Sequence, residues 1–232
     1  MLSEHRFTDQ SALLQGLRAF FLARIEQALA LHPRITLLLS GGSTPLPFYR
    51  QLAQQALPWE RLHLALVDER WVDLRDGASN ERALREALGG VASARLMGMY
   101  DGSPSAAAAL PALNRRYAAL PRPWSVGLLG LGPDGHTASL FPAAGGLDEA
   151  LCTSDLCAAI SAQPSAVTGE HTERMSLSLN ALLNIEHLVL LFTGAEKWRV
   201  YEQARDLTAR ERLPVSYLVQ NDSTPLDIFW CP

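Results

Sequence analysis

Three short polar clusters in this chain carry the residue types that hydrolysis and phosphate binding need. Gly41-Gly42-Ser43-Thr44 joins two residues without side-chain bulk to two hydroxyls. Free backbone N–H groups at such a turn, with the positive end of a following helix behind them, can hold a phosphate. The same four residues can equally be a tight turn in which Ser43 or Thr44 caps the helix. Asp68-Glu69-Arg70 sets three charges directly after an apolar run. There Arg70 can either clamp a phosphate or pair with Asp68, Glu69 or another acid. The third cluster is Gly132-Pro133-Asp134-Gly135-His136-Thr137. His136 is its candidate general base, because imidazole titrates near neutral pH and the glycines and Pro133 place it on a rigid, exposed turn. Asp68 or Asp134 can orient that imidazole, and the sequence does not choose between them. Arg174 and Lys197 are two further cations that a phosphate ligand would use. Neither a Walker lysine nor a dinucleotide fingerprint is present, and no cluster has metal-ligand spacing, so neither a metal nor an organic cofactor is expected.

The elements that must position these clusters follow from hydrophobic periodicity. Residues 9–31 place Leu14, Leu17, Phe21, Ile25 and Ala28 at three- and four-residue steps, one apolar stripe of a helix that Pro33 ends. Apolar runs at 35–39, 62–67, 125–131, 157–161 and 187–193 read as strands, with a last strand near 215–219. Helices are expected at 46–57, at 80–88 with Ser79 or Asn80 as cap, at 106–120 and at 195–209. Residues 174–179 alternate Ser176 and Ser178 with Met175, Leu177 and Leu179, which suggests a short strand running into a helix at Asn180. Near-continuous apolar strands alternating with helices call for a parallel sheet covered on both faces. The expectation is one domain over residues 1–232, an α/β fold with a doubly wound, mostly parallel sheet and helices on both faces, Rossmann-like. In such sheets ligands sit beyond the carboxyl ends of the strands, where all three polar clusters fall, so the clusters should converge.

Composition narrows the rest. The 232 residues are 48% hydrophobic and 19% charged, an ordinary globular balance, and the formal net charge of -4 argues against a general nucleic-acid binder. Cys152, Cys157 and Cys231 are odd in number and lack paired spacing, so reduced thiols are expected. Residues 1–7 carry His5 and Arg6 without an apolar stretch, and no run of about 18 apolar residues occurs anywhere, so a cytoplasmic protein with no membrane contact is expected. The sequence leaves the oligomeric state open, with a monomer favoured.

Taken together, Leu39-Ser40-Gly41-Gly42-Ser43-Thr44-Pro45, Val67-Asp68-Glu69-Arg70-Trp71-Val72, Ser79-Asn80, the run from Gly130-Leu131-Gly132-Pro133 through Asp134-Gly135-His136-Thr137 to Ala138-Ser139-Leu140-Phe141-Pro142, Arg174-Met175-Ser176-Leu177 and Gly194-Ala195-Glu196-Lys197 resemble the 6-phosphogluconolactonase family. The motifs keep the family's order and span most of the chain, and the long stretch around His136 is the specific one. The resemblance implies hydrolysis of a sugar phosphate lactone, 6-phospho-D-glucono-1,5-lactone, in the oxidative pentose phosphate pathway. His136 would be the base, and Gly41, Gly42, Ser43, Thr44, Arg70, Arg174 and Lys197 would hold the substrate. The chain ends at Phe229-Trp230-Cys231-Pro232, without the longer acidic, alanine-rich tail associated with many relatives. A glucosamine-6-phosphate deaminase is the nearest rival. That family resembles itself in carrying an Asn-Glu pair where this chain has Ser139-Leu140-Phe141-Pro142. A sugar-phosphate sensor would use the same phosphate grip and have no need of His136.

Overall fold

The computed structural model describes residues 1–210 and 212–232. In chain order the strands are β1 (Leu2–Arg6), β2 (Ile35–Leu39), β3 (Leu62–Leu66), β4 (Asp68–Arg70), β5 (Leu96–Met97), β6 (Trp124–Gly130), β7 (Cys157–Ser161), β8 (Glu173–Leu177), β9 (His187–Thr193) and β10 (Leu226–Cys231). The helices are α1 (Gln10–Leu31), α2 (Leu46–Ala53), α3 (Asn80–Leu88), α4 (Gly90–Ser93), α5 (Ala106–Ala118), α6 (Leu147–Cys152), α7 (Leu179–Leu183), α8 (Ala195–Ala204) and α9 (Ser216–Val219).

Seven strands form an all-parallel sheet in the order β1-β10-β9-β6-β2-β3-β5. Every residue of β2 is buried, as are nearly all of β3, β6 and β9. That pattern requires cover on both faces, and the crossover helices supply it. α1 begins where the Asp9 carboxylate accepts the N–H of Ala12, and it buries Leu13, Leu14, Leu17, Phe21, Ile25 and Ala28 against the sheet. Cutting such a side chain back to alanine typically costs about 2–5 kcal/mol, so this stripe holds the helix firmly to the sheet. Ser79, not Asn80, caps α3 by accepting the N–H of Arg82.

A second, antiparallel sheet, β4-β8-β7, lies beside the first. The hydrophobic pattern did not announce it, because Asp68-Glu69-Arg70 reads as a charged break after a strand and is in fact a strand. The expected strand at 215–219 is the short helix α9, and the last strand is β10. Val215, Leu218 and Val219 are buried at steps of three and four, which is helical spacing, and the N–H groups of Leu218 and Val219 both return to the Val215 carbonyl. β1 was not expected either, since its half-exposed Ser3 to His5 and exposed Arg6 are polar, a pattern suited to a sheet edge. α2 ends at Ala53 and α8 at Ala204, earlier than the periodicity indicated. No helix among the described residues is long and apolar enough to cross a membrane.

Candidate active site

From β2 the chain moves outward to β3 and β5, then returns to lay β6 on the other side of β2. The carboxyl ends of β2 and β6 therefore flank the point where strand order reverses, the standard crevice of a doubly wound sheet. A cavity of about 240 Å³ opens there. Gly41, Gly42, Ser43 and Thr44 reach it from the end of β2, Asp68 and Arg70 from β4, His136 from the loop after β6, Arg174 from β8 and Lys197 from α8. Asp134, the remaining expected residue, stands behind His136 and off the cavity wall.

The imidazole of His136 is fixed from two sides. Its Nδ1 lies 2.5 Å from Asp134 Oδ1, which also accepts the His136 main-chain N–H at 3.2 Å. A carboxylate only accepts, so the ring proton sits on Nδ1. The ring stacks on Phe141, centroids 4.3 Å apart. Nε2 has no protein partner among the described residues, and its lone pair is free for a proton. Burial pushes the Asp134 carboxyl up, but the hydrogen bonds and charge of His136 outweigh it and hold the group below the ordinary aspartate value. Gly132 makes this packing possible, since a Cβ there would stand 2.0 Å from Nδ1 and 2.6 Å from the Asp134 carboxylate. Asp68 does not orient the imidazole: its Oδ2 accepts the Ser139 hydroxyl at 2.7 Å.

Neither Ser43 nor Thr44 caps α2, whose N-terminus has no side-chain hydrogen bond. Among the described residues the main-chain N–H groups of Gly42, Ser43 and Thr44 donate to nothing in the protein. Gly42 adopts φ +93°, a conformation glycine reaches freely, and a Cβ on Gly41 would lie 2.0 Å from Asn80 Oδ1. The turn is thus open to an anion.

Arg70 and Arg174 face each other directly across β4 and β8. The Arg70 guanidinium donates to the Ala78 carbonyl at 2.6 Å, and that of Arg174 to the His171 and Thr168 carbonyls at 2.7 and 2.8 Å. Neither pairs with a carboxylate among the described residues, so the structural ion pair open to Arg70 does not form. Burial, with Arg70 adding to it, pushes Arg174 down to about 10, which leaves it charged at neutral pH. Burial likewise lowers Lys197, against the opposing charges of Glu196 and Asp134. Three cations and the carboxylate of Asp68 line the cavity, an excess of positive charge suited to a dianion. Among the described residues no group of three or more His, Cys, Asp or Glu side chains is placed to hold a metal.

Several residues at the site carry no site role in the sequence reading. Asn80 lines the cavity and donates to the Asp68 carbonyl at 3.0 Å, Phe141 supports His136, and Ala138 holds a left-handed φ of 49°. Glu69 is fully buried and gathers the main-chain N–H groups of Arg70, Asn80 and Glu81 and the Ser79 hydroxyl. Burial pushes it up to about 7 while those amides pull it back, and it ties the start of α3 to the floor of the site.

A family model described as glucosamine-6-phosphate isomerases/6-phosphogluconolactonase matches residues 8–230. The chain is 34% identical over 230 residues to a 6-phosphogluconolactonase of Rhizobium meliloti (strain 1021), covering 98% of each. It is 33% identical to one of Pseudomonas putida, covering 98% of this chain and 92% of the relative. The crystal structure of a 6-phosphogluconolactonase from Shewanella baltica OS155 matches with a TM-score of 0.93 and 34% identity, over 100% of this chain and 98% of that one.

Proposed function

Since the chain belongs to the glucosamine-6-phosphate isomerase/6-phosphogluconolactonase family, we propose that it hydrolyses 6-phospho-D-glucono-1,5-lactone to 6-phospho-D-gluconate, as a single domain spanning residues 1–232. The observation that carries this reading is the Asp134–His136 pair, with His136 on the wall of the cavity that also holds three cations without carboxylate partners among the described residues.

Ester hydrolysis needs a base for the attacking water, an acid for the departing ring oxygen and an anchor for the rest of the substrate. His136 Nε2 takes a proton from water as its oxygen bonds to the lactone carbonyl carbon. Asp134 stabilises the imidazolium that results. The tetrahedral intermediate then collapses, the bond from carbon to ring oxygen breaks, and the imidazolium returns its proton to that oxygen. The open amides of Gly42, Ser43 and Thr44, their hydroxyls, and Arg70, Arg174 and Lys197 hold the remote phosphate, so that binding energy goes into orienting the lactone.

The deaminase alternative lacks support in the same loop. Residues 139–142 offer no carboxylate, Ser139 is committed to Asp68, and Phe141 to the face of the imidazole. The deciding measurement is acid release from freshly prepared lactone, corrected for spontaneous opening, in wild type and His136→Ala. General-base catalysis contributes about 10²–10⁴-fold, so kcat should fall by that range with product affinity kept. Wild-type kcat in the variant refutes the assignment. Ammonia from glucosamine 6-phosphate would favour the deaminase, and ligand binding without turnover would favour a sensor.

A further inference from the structure

Two polar groups at the cavity take no part in the chemistry above. Asp68 is 7% exposed; its Oδ2 accepts from Ser139, its main-chain carbonyl accepts from Asn80, and Oδ1 has no donor among the described residues. Ser40 is 5% exposed and lines the same cavity. Its main-chain N–H donates to the Leu128 carbonyl at 3.1 Å and its carbonyl accepts the Tyr49 hydroxyl at 2.8 Å, yet its own hydroxyl is buried without a partner among the described residues. Both stand at the carboxyl ends of adjoining strands: Leu39 is level with Leu66 across β2 and β3, so Ser40 follows level with Val67 and Asp68 lies one residue further out on the neighbouring chain, and both line the cavity.

A buried hydroxyl left unpaired in the free protein is a cost that a ligand can remove. The chemistry missing here is one group that both donates and accepts. Cationic side chains supply neither an acceptor for a hydroxyl proton nor any discrimination among hydroxyl positions, and Asp68 is the single carboxylate on the wall among the described residues. We propose that Ser40 and Asp68 form a subsite that reads one secondary hydroxyl of the substrate: the hydroxyl donates to Asp68 Oδ1 and accepts from Ser40 Oγ–H. Ser139 is the positioning residue. Its hydroxyl holds Oδ2, and its main-chain N–H is itself tied to Ser176 Oγ at 3.3 Å, so the carboxylate keeps Oδ1 turned from Ser139. The proposal rests on the sugar-lactone reading of this cavity and adds to it the residues that set its hydroxyl specificity.

The test compares kcat/KM for the 6-phosphogluconolactone and for its 2-deoxy, 3-deoxy and 4-deoxy forms in wild type, Ser40→Ala and Asp68→Asn. Wild type should lose about tenfold or more on one of the three deoxy lactones. Each variant should lose about tenfold on the parent lactone and show no further loss on that same deoxy form. The Tm of Ser40→Ala should hold or rise, because the hydroxyl removed has no partner to lose. Equal treatment of all four lactones by wild type, an equal penalty on parent and deoxy lactones in the variants, or a fall in the Ser40→Ala Tm would overturn the subsite. Should wild type open no lactone at all, the lactonase reading fails. Calorimetric Kd values for 6-phospho-D-gluconate and its deoxy forms in the same variants then decide the subsite separately.

Discussion

Asp134→Asn and Asp134→Ala together weigh the proposed acid-base unit, because the structure assigns them different losses. Asp134 Oδ1 accepts two N–H groups, the ring Nδ1–H and the main-chain N–H of His136. An asparagine can put its amide oxygen in the same place, whereas flipping it would press an NH₂ against that main-chain donor. The oxygen therefore stays, the proton remains on Nδ1, and Nε2 keeps its lone pair. What Asp134→Asn removes is the negative charge that stabilises the imidazolium. A hydrogen bond to a charged group contributes about 1.5–3 kcal/mol and a neutral one about 0.5–1.5, so the difference is near 1–1.5 kcal/mol. At 1.36 kcal/mol per decade, kcat should fall about 5- to 13-fold. Asp134→Ala removes the whole interaction, about 1.5–3 kcal/mol, and frees the ring to turn, so its loss should be about 10- to 150-fold. KM should hold in both, since the phosphate anchors lie on other elements. Acid release in a pH-stat, with spontaneous lactone opening subtracted, measures both. Wild-type kcat in Asp134→Ala, or a loss above 100-fold in Asp134→Asn, would refute the role given to this carboxylate.

Three further outcomes follow from single contacts. Gly132→Ala places a Cβ 2.0 Å from His136 Nδ1, so the ring must move and kcat should drop at least about tenfold with an unchanged circular dichroism spectrum; full activity would mean the ring position is immaterial. Lys197→Ala removes a half-buried cation that makes no ion pair among the described residues, so KM should rise about 10- to 100-fold with Tm nearly constant, and an unaltered KM removes it from the anion site. Burial, reinforced by nearby arginines, lowers both His63 and His187 from 6.5. Below pH 6.5 the unfolded chain binds more protons at these positions, so they withdraw stability as pH falls toward their folded values. Glu69, raised from 4.5 to about 7, acts in the opposite sense over that window. Comparison of urea midpoints at pH 7.5 and 5.5 with His63→Gln/His187→Gln therefore isolates the histidines, and the variant should lose less on acidification than wild type.

What was legible in the sequence is what local periodicity encodes. The five apolar strand runs and α1 stand where continuous apolar residues or 3.6-residue spacing put them, because the mostly buried strands are mostly apolar, interrupted by few polar residues such as Thr36 and His63. Gly41, Gly42 and the loop of Gly132 to His136 were readable because backbone turns at strand ends demand glycine. Of the small antiparallel sheet, β7 and β8 were readable as strands, but β4 and the pairing were not, since β4 is three charged residues whose partner, β8, lies about a hundred residues along the chain. The same blindness hid which acid serves His136. Asp68 and Asp134 are equivalent as residue types, and only the fold places Ser139 on one and the imidazole on the other. In 215–219, β-branched content suggested a strand where the buried positions, spaced three and four apart, favour a helical turn. Asn80 was read only as a possible cap of α3, a reading that gives no hint that its amide reaches the Asp68 carbonyl.

Three local costs of this molecule fall where the chemistry is proposed, beside others elsewhere such as the left-handed Ala143 and the Trp124 Nε1, buried without a partner among the described residues. Like charges directly opposite in an antiparallel pair destabilise a sheet, and the Arg70 and Arg174 pair does so with one guanidinium almost wholly buried. Ala138 holds φ 49°, a conformation that costs a non-glycine residue on the order of 1 kcal/mol, although glycine would fit. Ser40 buries a hydroxyl without a partner among the described residues. Arg70, Arg174, Ala138 and Ser40 all line the cavity at the strand-order reversal. A chain selected for stability alone would remove these costs with common substitutions such as a carboxylate beside Arg174, glycine at 138 or alanine at 40. Each of those changes would also fill, neutralise or loosen the cavity that a dianionic polyol needs. That like charges, a left-handed alanine and an unpaired hydroxyl share one cavity wall supports ligand binding at this place without recourse to likeness to any other protein.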